Sequence, residues 1–378
     1  MFWKRRTYLD VAAGMSGNPS SPHEEGRRSR ELLEGARTDI ARLLEVQSDD
    51  VIFTSGATES NALAILGTVR SRQKAEGSKK AHVLYLPSAH ASIVENMKLL
   101  GERGVEVEAL PIKDGRVDCE QLKGMLRPQT RLVSMDAVCG ETGTIWNTRE
   151  VADVLKKVRG GGAAARVLLH VDASQAPLTE KLTRAHFGAD LLTLDASKVG
   201  ETRGIGALIA HRTILLTPLY KGGGQERGLR SGSEAPELAL EFAALLGTSV
   251  RGRAAFRASA ERDRVRLVER IMSAIPDVLL NEGRASVPHI LNISLPGRDT
   301  DYLVALLDEA GFAVSTRSAC ETDSEEGSRA VFALTGDLKR ARATLRISWG
   351  PGVRPGELAR FVQALTRAVA FIDSGDRR

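Results

Sequence analysis

The stretches RVLLHVDASQ (166–175) and DLLTLDASK (190–198) decide the fold reading. Each is a short, almost wholly apolar run closed by an aspartate and two small residues. A run of this length with a turn signal behind it reads as a strand buried on both faces. The same form recurs upstream, where VIFT (51–54) runs into SGATES, HVLYL (82–86) into PSAH, and RLVSMDAV (131–138) into CGETG. Helical patterns follow these turns. Strand and helix in alternation predict an α/β domain built on a largely parallel, buried sheet. Ligands of such sheets gather at the carboxyl ends of the strands. Here those ends carry Thr58, His90, Glu141, Asp172 and Lys198, and one pocket is expected to hold them.

Past residue 248 the texture changes. A charged helical stretch leads into PHILNISL, DYLVALLDEAGFAV, TLRISWG and a last helix near PGELARFVQAL, the pattern of a smaller α+β domain. The expected division is a large domain over 16–248 and a small one from 1–15 and 249–378. The stretch RGGGAAAR (159–166) reads as a surface loop.

With 42% hydrophobic and 27% charged residues, the chain has the composition of a globular protein with a sizeable core. Its net charge of +5 is dispersed among acids, which suits a solvated surface better than a nucleic-acid face. No direct nucleic-acid partner is expected. No apolar stretch follows the basic start MFWKRRTYLD, and no run approaches a membrane span, so neither a secretory signal nor a membrane role is expected. The cysteines Cys119, Cys139 and Cys320 lie far apart without CxxC spacing. That favours reduced cytoplasmic thiols over disulfides or a metal site.

Taken singly, the candidate residues are ambiguous. The turn Thr54–Ser60 delivers free amides and a helix dipole to one point, a natural phosphate site, but equally an ordinary capped helix. Asp172, at the end of a buried strand, needs a cation or hydrogen-bond donors. A protonated pyridine nitrogen would serve, and so would a helix N-terminus. Lys198 can reach a group at the sheet edge and form an imine, with partial burial near other cations to lower its pKa. Cys320, in the polar stretch after an expected strand, is either a reactive thiol or an incidental one. Period-2 alternation sets Arg346 and Ser348 against Leu345, Ile347 and Trp349, so Arg346 can clamp a carboxylate or join a surface ion pair.

Together these segments resemble the cysteine desulfurases, members of the class V aminotransferase group of pyridoxal-phosphate (PLP) enzymes. The resemblance runs through YLD (8–10), GNPSSPH (17–23), FTSGATESNALAI (53–65), HVDASQ (170–175) and SKVGETRGIGAL (197–208). It continues through GGGQERGLRSGS (222–233), LNIS (291–294), SAC (318–320) and LRISWG (345–350). It implies the PLP-dependent transferase fold (fold type I), with a mainly parallel mixed sheet in the large domain. It implies that Lys198 carries the cofactor, His90 stacks on its ring, Asp172 pairs with the ring nitrogen and Gln175 bonds the ring oxygen. Thr58 would hold the phosphate, and Ser233 would reach the phosphate of a partner subunit, which implies a homodimer. Arg346 would bind the carboxylate of L-cysteine. Cys320 would take the sulfur as a persulfide, release L-alanine and pass the sulfur to an iron–sulfur scaffold or a tRNA-thiolation protein.

The sequence also departs from the family. Ser-x-His-Lys becomes Asp195-Ala196-Ser197-Lys198, so the phosphate contact of the histidine is expected to pass to Ser197. Asp195 must turn away, pair with a cation such as Arg203, or stay protonated, because a carboxylate repels a phosphate dianion. Asn-Asn-Glu becomes Cys139-Gly140-Glu141, with Cys139 either a buried small hydrophobe or a second thiol. The segment between YLDVAAG and GNPSS is shortened. Two other readings remain: another class V enzyme, such as a selenocysteine lyase or small amino-acid transaminase, and a non-catalytic scaffold. The thiol of Cys320 separates the first from a desulfurase.

Overall fold

The five apolar runs become neighbouring or near-neighbouring strands of one sheet. The computed structural model describes residues 6–76, 81–158, 166–316 and 327–375. The glycine-rich stretch 159–165, expected to be a surface loop, and the stretch 317–326 that includes Cys320 therefore lie outside the described residues. In chain order the strands are β1 (Val51–Thr54), β2 (His82–Tyr85), β3 (Glu106–Ala109) and the ribbon β4 (Ile112–Lys113) and β5 (Arg116–Val117). Then come β6 (Thr130–Asp136), β7 (Leu168–Asp172), β8 (Leu191–Asp195) and β9 (Gly206–Ala210). The last three are β10 (Leu279–Leu280), β11 (Ile290–Ser294) and β12 (Thr344–Ser348).

The large sheet has the order β1-β9-β8-β7-β6-β2-β3. Pairing is parallel from β3 through β8, and β9 runs antiparallel to both β8 and β1. This makes β1 parallel to β8, so the turns after β1, β6, β7 and β8 all open on one edge. The sheet is mainly parallel and mixed, as expected. Its central strands are buried along their whole length, which explains their continuous apolar runs. His170 on β7 is fully buried and spans both neighbours, with Nδ1 against Ser134 Oγ at 2.8 Å and Nε2 against Thr193 Oγ1 at 3.1 Å. Burial holds this imidazole neutral, so it ties strands together.

The first residue of β9 has a specific job. Gly206 lies opposite Thr54 on one side and Asp195 on the other. A Cβ there would come within 2.8 Å of the Gly56 backbone. A side chain at this point would force the 54–57 turn off the sheet edge.

Two hydrophobic clusters form the interior. The larger surrounds the seven-stranded sheet, and the smaller joins β11 and β12 to the helices Thr300–Glu309 and Pro355–Gly375. One helix, Pro236–Ala274, serves both: Phe242 and Leu246 enter the first cluster, while Phe256, Ala260, Leu267 and Ile271 enter the second. On β12, Leu345 and Ile347 are buried, as is Trp349 just after it, while Arg346 is half-buried and Ser348 is exposed. Of the strand expected just before Cys320, the described residues show a bridge between Ser315 and Arg346, and the residues that follow Thr316 lie outside the described ones. Between Tyr8 and Ser21 the only regular element is the turn Val11–Ala13. Among the described residues no helix is long and apolar enough to cross a membrane.

Candidate active site

The carboxyl end of β7 holds a buried polar array. Asp172 is only 6% exposed, and both of its oxygens are held. Oδ1 accepts the Ser174 amide at 2.9 Å, and Oδ2 accepts Asn61 Nδ2 at 2.7 Å. Asn61 Nδ2 also donates to Ser92 Oγ at 2.9 Å. Ser92 Oγ lies 2.8 Å from His90 Nδ1, which in addition accepts the Ser92 amide at 3.2 Å. Donor and acceptor directions run one way along this chain. Asn61 gives its protons to Asp172 and Ser92, so the Ser92 hydroxyl donates to His90 Nδ1. The neutral imidazole then carries its proton on Nε2. His90 caps the helix Ala91–Glu102 and its ring is exposed, so Nε2 is free to act at the strand ends.

A second buried acid stands beside Asp172. Asp136 ends β6 in register with it, and its Oδ1 has no hydrogen-bond partner. Burial, reinforced by the charge of Asp172, pushes Asp136 up to about 8, against the opposing pull of Arg329. Arg329 Nη1 donates to the carbonyls of Pro87 and Ala89, directly before His90. Asp136 and Asn61 are the polar residues that sequence reasoning passed over. Asp136 has the same signal as Asp172, an acid closing a buried apolar strand. Asn61 shows itself only as a buried amide within an otherwise small and apolar helix face.

The other end of the site is open. Thr58 is exposed in the first turn of the helix Ala57–Glu76, and Lys198 is exposed at the end of the turn Ala196–Lys198. The expected partial burial of Lys198 is thus not seen, because that turn carries it outward from the end of β8. A cavity of about 770 Å³ is lined by Ser55, Asp195, Ser197, Lys198 and Arg203 among others. Of the residues expected to share one pocket, Lys198 lines this cavity. Asp195 neither turns away nor forms an ion pair with Arg203 among the described residues. Its Oδ2 accepts the Ala57 amide at 2.8 Å and its Oδ1 the Ser197 amide at 2.8 Å.

Gly140 joins two more candidates. A Cβ on it would lie 3.0 Å from Gln175 Nε2, and its carbonyl accepts Arg346 Nη1 at 3.2 Å. Arg346 Nη2 also reaches Ser315 Oγ at 3.3 Å, so the guanidinium is positioned from both sides. Cys139 is 2% exposed, and burial pushes its thiol up to about 12, which makes it a small packing residue rather than a nucleophile. Ser233 is exposed, in the segment that begins with GGGQERG. That segment is pinned by Glu226, whose carboxylate meets Arg37 at 2.7 and 2.8 Å and accepts the Phe53 amide at 2.8 Å. Both Glu226 and Arg37 are buried, so each charge depends on the other for its partner.

The chain as a whole has clear relatives. The family model described as aminotransferase class-V matches residues 7–360. The cysteine desulfurase IscS 1 of Archaeoglobus fulgidus is 33% identical over 362 residues, covering 95% of this chain and 91% of that protein. This chain belongs to the cysteine desulfurase family. Among solved structures, a NifS-like protein superposes with a TM-score of 0.84 at 26% identity, covering 96% of this chain and 94% of that one. A structure titled SspA in complex with cysteine matches with a TM-score of 0.73 at 26% identity, over 88% and 91% of the two chains. These solved structures share the fold of this chain.

Proposed function

We infer that this chain is a cysteine desulfurase that uses PLP to remove sulfur from L-cysteine, giving L-alanine. The observation that carries the reading is the one-way hydrogen-bonded chain Asp172–Asn61–Ser92–His90 at the strand ends, within a chain of this family. The residues fit the cofactor at its ring end, where Asp172 is a buried acceptor with its two donors already in place. At the phosphate end Thr58 and Ser197 are available, with Asp195 between them. Bound PLP supplies an electron sink for cleavage at the substrate side chain.

The residues divide the remaining work. Lys198 holds the cofactor, and Asp172 keeps the ring nitrogen protonated because Asn61 and the Ser174 amide stabilise its charge. Gln175 bonds the ring oxygen. His90 stacks on the ring and offers Nε2 for proton transfer. Arg346, steadied by Gly140 and Ser315, binds the substrate carboxylate. Cys320 takes the sulfur: the substrate C–S bond breaks, an S–S bond forms on Cys320, and the alanine carbon gains a proton. Ser233 reaches the partner's phosphate in a homodimer, supported by its exposure on a pinned segment. We place the domain division near residue 248, where the helix Pro236–Ala274 passes from one core to the other. The protein acts in the cytoplasm and passes sulfur to an iron–sulfur scaffold or tRNA-thiolation protein.

Adding L-cysteine to the PLP-loaded protein should release alanine, and Cys320→Ala should abolish persulfide formation while retaining the cofactor. Lys198→Ala should lose the visible absorbance of a lysine-bound cofactor. Loaded wild type that makes alanine no faster than Cys320→Ala would overturn the assignment.

A further inference from the structure

The turn at the phosphate end is already occupied by carboxylates of the chain itself. Asp195 takes the Ala57 amide, while Glu59 takes the Ser55 amide at 2.6 Å. The Gly56 amide points to Thr54 Oγ1 at 3.4 Å. Among the described residues, Thr58 and Glu59 are left as the first-turn amides without an acceptor. The two acids differ in their surroundings. Glu59 meets the Tyr220 hydroxyl at 2.8 Å and Arg230 at 3.4 Å, so its charge is offset. Asp195 has only amide donors, among the described residues.

Asp195 is also held in place. Its Oδ1 caps the turn Ala196–Lys198, and its Oδ2 lies against Gly56, where an added Cβ would be 3.3 Å away. Swinging it aside would uncap the turn that presents Lys198. A dianion arriving at this helix N-terminus therefore meets a fixed negative charge and one amide fewer.

We propose that Asp195 is a specificity-determining residue for the cofactor: it stands in for part of the phosphate, so the site distinguishes PLP only weakly from unphosphorylated pyridoxal. This rests on the cofactor reading above, and it assigns Asp195 a role opposite to that of a phosphate ligand. The neutral, near-isosteric Asp195→Asn keeps an acceptor for the turn while removing the charge, and Asp195→Ser provides a second variant with a hydroxyl donor.

The test is equilibrium binding of PLP and of pyridoxal to the cofactor-free full-length protein, followed by absorbance. Thermal shift with millimolar inorganic phosphate runs beside it. Wild type should prefer PLP by no more than about tenfold, and Asp195→Asn should raise PLP affinity by about tenfold or more. Pyridoxal affinity should change less than about twofold, because pyridoxal carries no phosphate charge. Phosphate should stabilise the variants and not wild type. A loss of structure alone would weaken both ligands together and leave their ratio unmoved. PLP affinity unchanged or lowered in both variants overturns the proposal and leaves the cofactor reading intact. Absence of binding by either ligand in every variant overturns both.

Discussion

The two ends of the site are built on different physical terms. At the ring end, Asp172 is buried and is linked to Asn61, Ser92 and His90 through side chains from three separate elements. At the phosphate end, Asp195 is half-buried and bonds backbone amides of two turns, beside an open cavity. Low-dielectric surroundings make each bond at the first end costly to break, while water can replace a lost partner at the second. The ring end is therefore constrained, and the phosphate end has room to depart from its relatives. The departures at Asp195 and Ser197 lie at that second end.

The comparison can be broken by mutation. Asp172→Ala should have the largest effect. It leaves Asn61 and the Ser174 amide without their acceptor, at about 1–3 kcal/mol for each buried donor. Alanine formation should fall at least about a hundredfold with it. Thermal unfolding and alanine release check both, and a variant as stable as wild type would mean that the array is not a coupled unit.

Asp136→Asn probes the same end with the opposite sign. The Asp136 carboxyl is raised from its ordinary 3.8 to about 8, so between those values the folded protein binds the extra proton. Its contribution to stability is full below about pH 4 and is lost as pH rises through about 8. Asp136→Asn should flatten this fall and be more stable than wild type above pH 8 by at least ~1.4 kcal/mol, the equivalent of one pKa unit. Melting curves across pH 5–9 would expose a mistake if the two proteins ran parallel.

The smallest effect should come from Asp195→Ala. Loss of this cap should cost about 1 kcal/mol, the usual worth of an N-cap side chain. A destabilisation equal to that of Asp172→Ala would erase the distinction between the two ends.

Much of this was legible in the sequence. The buried strands are visible because a strand covered on both faces has no polar alternation, and their order with helices dictates a parallel sheet. Lys198, Asp172 and His90 fall at strand ends that the sequence already marks. Asp136 was equally legible, but a single acid at the end of a strand reads as a cap until its neighbour is known. Asn61 was not, because its partners Ser92 and Asp172 are 31 and 111 residues away. The burial of Glu226 against Arg37 was likewise hidden, since their pairing spans 189 residues.

By itself, then, the sequence determined the fold class, the polar residues at each strand end and the family. These depend on local pattern, on periodicity and on residues in fixed order. Tertiary structure alone decided the direction of the Asp172–His90 hydrogen bonds, the pairing of two buried acids, and the seating of Asp195 on the Ala57 amide. Each depends on the register of strands far apart in the chain, and on Gly206 letting one turn approach another. The site's two ends were written as residue types; which donors they meet, and how much water reaches them, was settled only by packing.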